Sequence, residues 1–206
     1  MRVVAVLTGA TALCATVLAV YGNLLQTPEL SWLASITEIL RYFTIFTNLV
    51  VGVFLLHAAL FARWASFSGL TALTLWISIV GVVYHVLLSA TYQPAGLLAW
   101  ASLAHHTVVP IGVTFLWLVT RSRELIPIKA PIYWMLFPLV YGCYAIARGY
   151  FGDGLYPYVY IDPNVIGWRG VFLSQLGFFA FFLGMGYFYR WVANRITLRK
   201  SRSTSL

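Results

Sequence analysis

Charge is what this chain has least of. Of its 206 residues only 9% are Asp, Glu, Lys or Arg, and just five are acidic. Soluble domains carry about 25% charge, so the shortage excludes that class. Cysteine is nearly as scarce. Cys14 and Cys143 stand apart, without CxxC or mixed His/Cys spacing, which rules out a disulfide framework or a zinc knuckle. Both are expected to serve as small apolar packing residues. There is no HExxH and no GxSxG, and two adjacent histidines make a poor zinc set. No metal or other cofactor is therefore expected. Internal repeats and low-complexity linkers are missing as well, which leaves room for a single domain over residues 1–206.

What remains is apolar: 61% of residues are hydrophobic and 17% aromatic. Six stretches, at about 3–25, 40–62, 68–92, 97–120, 131–150 and 167–192, are long enough to cross about 30 Å of hydrocarbon at 1.5 Å per residue. The fold class expected is all-α, a bundle of six transmembrane helices in a multi-pass protein of the plasma membrane. The first stretch resembles a secretory signal, but it runs on through Val20 and Tyr21 to Leu25 and is expected to stay as a first helix.

The net charge of +8 is distributed by side rather than by stripe. If the N-terminus is cytoplasmic, the inner side holds Arg2, Arg63, Arg121, Arg123, Lys129, Arg190, Arg195, Arg199, Lys200 and Arg202. The outer side holds Arg41, Arg148 and Arg169. Ten against three predicts both termini inside, with a basic cytoplasmic tail over 193–206 drawn to anionic lipid heads. Membrane lipids are the expected partners. Nucleic acid is not, because no basic stripe interleaves with exposed aromatics. The sequence specifies no oligomeric state.

Polar residues inside a membrane are costly and mark candidate sites. Helix rise puts Thr44 and Thr47 about 6–10 Å below the outer boundary, and His105 and His106 about 12–14 Å down. His85 lies about 10 Å deep and Gln175 about 12 Å, while Arg148 and Arg169 end their helices on that side. Thr44, Thr47 and Asn48 share a face at i, i+3, i+4 spacing, and Ser102 can reach His105 or His106. Adjacent histidines cannot share a face, so at most one of the two is expected to be central. Each group has a plainer role open to it. A threonine can bond the carbonyl one turn back, a buried histidine can be merely satisfied, and the arginines can be interfacial anchors or hold an anionic head group. The segment "ELSWLASITEILRYF" reads as a short amphipathic helix on the outer surface, and Pro110 predicts a kink in the fourth helix.

Three stretches carry a family likeness: "RYFTIFTNL", "AHHTVVP" and "RGYFGDGLYPYVYID". In these, and in its six-pass pattern, the chain resembles the androgen-induced membrane hydrolases, the family of androgen-dependent TFPI-regulating protein, and its microbial relatives. That resemblance implies an intramembrane threonine hydrolase of lipid esters such as fatty acid esters of hydroxy fatty acids. It maps the nucleophile onto Thr44 in "RYFT" and the histidine onto His106 in "HTVVP"; counting back from Pro110 without a gap selects His105 instead. Thr47, Asn48, His85 and Arg148 would then be supporting residues. The alternative is a protein that binds, senses or transports a lipid or small molecule through the same outer-leaflet polar cavity.

Overall fold

The protein is described from a computed structural model covering residues 1–61, 66–120, 122 and 124–202, with only the backbone described for 199–202. Arg63, Arg121 and Arg123 of the inner-side count lie outside the described residues, as do the last four tail residues and the Arg199, Lys200 and Arg202 side chains. The described elements are helical throughout. They run α1 (Arg2–Gln26), α2 (Trp32–Ile39), α3 (Phe43–Leu60), α4 (Phe67–Val83), a π turn (Tyr84–Leu88), α5 (Leu97–Leu103), a second π turn (Ala104–Val108), α6 (Val109–Val119), α7 (Ala130–Trp134), α8 (Leu136–Phe151), a 3₁₀ turn (Val159–Ile161) and α9 (Pro163–Arg202). Six segments are long and apolar enough to cross a membrane: Arg2–Gln26, Phe43–Leu60, Phe67–Leu88, Leu97–Val119, Ala130–Phe151 and Pro163–Leu198. They match the six expected spans.

The chain divides into two compact units, Met1–Ser122 and Arg123–Leu206. In the first, α1 is the centre and packs against α3, α5 and α6. Its buried residues are Ala5, Thr8, Gly9, Ala12, Ala15, Thr16, Ala19, Val20 and Gly22, nearly all small and spaced three or four apart. Without a hydrophobic drive between helices in lipid, small residues are what let backbones approach closely. At Gly9 a Cβ would stand 3.2 Å from the Gly52 carbonyl oxygen, and at Gly52 it would stand 3.2 Å from the Gly9 carbonyl oxygen. The larger core residues, among them Val51, Leu55, Leu73, Ile77, Val109, Val113 and Leu116, fill the space around that contact.

Two loops are shaped by missing or redirected hydrogen bonds. The amphipathic α2 forms as expected: Ser31 caps it by accepting from the Ala34 N–H at 3.2 Å. Its buried Ser35 donates to the Val20 carbonyl at 3.0 Å and accepts from Asn23 Nδ2 at 3.1 Å. Trp32, Leu33 and Ile36 are left facing outward. In the second unit the fifth span is interrupted at Met135, because Pro138 has no N–H for the carbonyl of Trp134 four residues back. The loop before that span is fastened to α9: Asn194 accepts from the Ile126 N–H at 2.8 Å and donates to the Ile126 carbonyl at 3.2 Å. The α9 helix is non-helical at Gly167 (φ 66°) and then continues into the tail as far as Arg202. Beside it, the Tyr160 ring meets Tyr158 and Phe178, and burial pushes its phenol well above the usual tyrosine range.

One expectation fails. Neither cysteine packs in the interior; Cys14 and Cys143 are both exposed on the outside of their helices. On α1 the small buried positions already belong to alanine, glycine and threonine, so Cys14 falls on the opposite face.

The α1–α3 contact supplies the first prediction. Gly9→Val should lower stability by about 1–3 kcal/mol, because backbone as well as side-chain atoms obstruct the new side chain. Gly177→Ala, at a position with open space around it, should not. Unfolding by SDS in mixed micelles measures both.

Candidate functional site

Pro110 explains how the fourth span presents its histidines. Proline cannot donate to the carbonyl four residues earlier, which here belongs to His106. The turn just before it is wound in π register, Ala104–Val108, so that the Val109 N–H bonds the Ala104 carbonyl. The α4 helix comes close at this point, with Gly81 beneath the released carbonyl. A Cβ there would lie 3.0 Å from the His106 oxygen and 3.3 Å from the proline ring. The expected kink is thus a π turn, a form common at functional sites.

The two adjacent histidines face different helices. His105, 3% exposed, places Nε2 3.3 Å from Thr16 Oγ1 on α1. The Thr16 hydroxyl donates to the Ala12 carbonyl at 3.0 Å, so toward His105 it can only accept. Nε2 of His105 therefore carries its proton and donates it to Thr16. This histidine is satisfied as a structural group.

His106 turns toward α3, with Nε2 3.4 Å from Thr44 Oγ1. Its Nδ1 lies 2.9 Å from the Ser102 carbonyl and 3.1 Å from Ser102 Oγ. A carbonyl only accepts, so Nδ1 bears the proton and the neutral ring turns its Nε2 lone pair toward Thr44. The Tyr84 ring lies flat on the imidazole, 3.9 Å between centroids and 9° between planes. A hydroxyl, a ring nitrogen free to accept and a fixed far nitrogen form the local geometry of a nucleophile–base pair.

Where α3 begins explains why Thr44, and not Thr47, is available. The helix opens at Phe43, so Thr44 has no helical carbonyl four residues behind it. Thr47, three residues on, does have one and donates to the Phe43 carbonyl at 2.8 Å. With its one hydroxyl proton engaged and no exposure, Thr47 serves the helix. Asn48 Nδ2 donates to the Thr44 carbonyl at 2.9 Å and steadies the first turn. Its Oδ1 is buried with no partner among the described residues. Thr44 itself is only partly buried and open to an incoming group.

The remaining sequence candidates make contacts of their own. His85 is exposed and bonds Thr107 through Nε2 at 3.0 Å. Arg148 belongs to the second unit, where it meets Asp153 Oδ2 at 3.4 Å and also bonds Tyr144. Gln175, in that same unit, packs over Gly142. Sequence reasoning missed Tyr84, although its place directly before His85 was a usable signal. Tyr92 sits at the same end with Tyr42 and Tyr84 as neighbours, and burial, then those phenols, hold its own phenol above the usual range. Compared with known proteins, the chain matches no family model, no curated protein and no solved structure.

The two Thr–His pairs should respond differently to loss of the hydroxyl. Thr16→Val removes a buried hydroxyl that bonds both the Ala12 carbonyl and His105 and should cost about 1–3 kcal/mol. Thr44→Val leaves only an acceptor nitrogen beside a partly open space and should cost less. Parallel SDS titrations of the two variants test the order.

Proposed function

We propose that this chain is an intramembrane threonine hydrolase of lipid esters, with Thr44 as nucleophile and His106 as general base. The observation that supports it is the pairing of Thr44 Oγ1 with His106 Nε2 at 3.4 Å while Nδ1 is held at 2.9 Å by the Ser102 carbonyl. The separation is long for a hydrogen bond, as is the 3.3 Å of the Thr16–His105 pair. Catalytic bonds of this kind tighten when substrate enters.

In this reading the Thr44 oxygen attacks the ester carbonyl as its proton passes to His106 Nε2. The oxyanion forms at the first turn of α3, whose positive helix end favours negative charge. Collapse expels the alcohol, which takes the proton back from Nε2. Water then attacks the acyl-threonine, again giving its proton to His106; Nε2 returns that proton to the departing Thr44 Oγ1, and a fatty acid leaves. The reading agrees with the resemblance of "RYFT" and "HTVVP" to the androgen-induced membrane hydrolases, and fatty acid esters of hydroxy fatty acids are the substrates that resemblance implies. Both termini are then cytoplasmic, the membrane is the plasma membrane, and Thr44 lies in the outer leaflet beneath α2. An apolar bilayer supplies such a substrate laterally, so no soluble-phase cleft is required.

The test uses full-length protein in lipid nanodiscs with long-chain esters and a fluorophosphonate probe. Wild type should turn over ester and carry the adduct on Thr44. Thr44→Ala should abolish both, and His106→Ala should reduce turnover about 10²–10⁴-fold. His105→Ala should reduce it far less in the fraction that remains folded. Turnover that survives Thr44→Ala unchanged refutes the assignment. Saturable lipid binding without turnover in wild type would favour a carrier or sensor.

A further inference from the structure

The most closely fitted contact at this site is one that hydrolysis by Thr44 and His106 does not itself use. Tyr84 stacks on His106 at 3.9 Å with its plane 9° away. Two separate distortions bring the rings together. Tyr84 opens the π turn that ends the third span, where the Ser89 N–H bonds the Tyr84 carbonyl at 2.8 Å. His106 lies in the π turn that Pro110 imposes on the fourth. One turn before Tyr84, Gly81 has no Cβ to hold the helices apart; one there would stand 3.0 Å from the His106 oxygen. The approach, the two π turns and the flat stack concern the same pair of residues.

Hydrogen bonds at Nδ1 hold one point of the imidazole but leave the ring able to tilt about it. A face-on aromatic removes that freedom. It also leaves Nε2, at the ring edge, free to meet Thr44. An aromatic face favours a cation lying on it, and His106 becomes an imidazolium each time it takes a proton from Thr44 Oγ1. The other titratable groups around the ring are His85, from the same end of the third span, and His105, whose ring centroid is 6.5 Å away.

We propose that Tyr84 is the positioning residue for His106: its ring fixes the plane in which Nε2 faces Thr44 and shelters the imidazolium against its face. The catalytic half of this inference rests on the hydrolase reading; the positioning half does not. The ring, rather than the phenol oxygen, carries the role, so phenylalanine should replace tyrosine.

The experiment is histidine-selective NMR of the full-length protein in nanodiscs, with His106→Gln to assign the signals. In wild type the His106 ring protons should be shifted upfield by the Tyr84 face, and the nitrogens should report one tautomer with the proton on Nδ1. Tyr84→Phe should keep both features. Tyr84→Leu should lose the upfield shift and give averaged nitrogen shifts, and Tyr84→Met provides a second variant should leucine prevent folding. With an ester substrate, Tyr84→Leu should lower kcat about ten-fold or more with KM little changed, while Tyr84→Phe stays near wild type. Absence of the upfield shift in wild type, or a His106 spectrum unchanged in Tyr84→Leu, overturns the proposal without any activity being measured. If the spectrum changes but kcat does not, the catalytic half falls. If wild type turns over no ester, the hydrolase reading falls, and the spectrum still decides the positioning.

Discussion

The face of α1 that carries almost no side chain sets the distances on which the first unit depends. Gly9 and Gly52 meet backbone to backbone, and Ala5, Ala12, Ala15 and Ala19 extend that shallow surface along the helix. Close approach in lipid gains mainly from van der Waals contact, because lipid tails solvate leucine as well as another helix does. The gain in function is positional. With α3 on one side and α5–α6 on another, Thr44 and His106 come within reach across 62 residues of sequence. A bulky residue in the α1 stripe would push both neighbours outward and separate Thr44 from His106.

Within that frame, backbone hydrogen bonding decides which polar groups are structural and which are left over. Inside a membrane every N–H and C=O needs a partner from the protein, and threonines readily join the ladder. Thr16, Thr47, Thr71 and Thr74 all donate to the carbonyl four residues earlier. Thr44 cannot, because its helix starts one residue before it. The same rule acts in reverse at Pro110, where a missing donor releases a carbonyl and the ladder shifts to π register. A helix start and a proline, each unremarkable alone, free a hydroxyl on one helix and redirect an imidazole on the next.

Much of this was readable from the sequence, for identifiable reasons. Span positions follow from hydrocarbon thickness and helix rise, which depend on composition alone, and all six were found. The short α2 was signalled by its apolar spacing and by Ser31. The divergence of His105 and His106 also followed, since adjacent residues cannot share a face. The direction each one takes did not, because assigning it requires the π turn and the neighbours on α1 and α3. Helix rise set His85 and Arg148 at the depth of Thr44, but depth alone does not say which neighbour a side chain meets, and His85 meets Thr107. Cys14 failed for a related reason, since the small face of α1 was already filled by smaller residues.

Three threonine–histidine contacts occur among the described residues of the first unit, and they differ in what chemistry they allow. Thr16 gives its proton to Ala12 and receives one from His105, so the pair is closed in both directions. His85 meets Thr107 but is exposed, and among the described residues nothing fixes its second nitrogen. At Thr44 the hydroxyl has no backbone carbonyl to satisfy, while the facing imidazole is fixed at Nδ1 by Ser102 and across its plane by Tyr84. A hydroxyl is activated by a base that can accept its proton and remain aligned while doing so. Of the three pairs, this one combines an available proton with an oriented acceptor, and it does so without a buried charge. An imidazole–hydroxyl pair is neutral at rest, which suits a membrane interior where a permanent carboxylate partner would be expensive to hold. In the proposed hydrolysis, charge arises only during the proton transfer, beside an aromatic face and the positive end of α3.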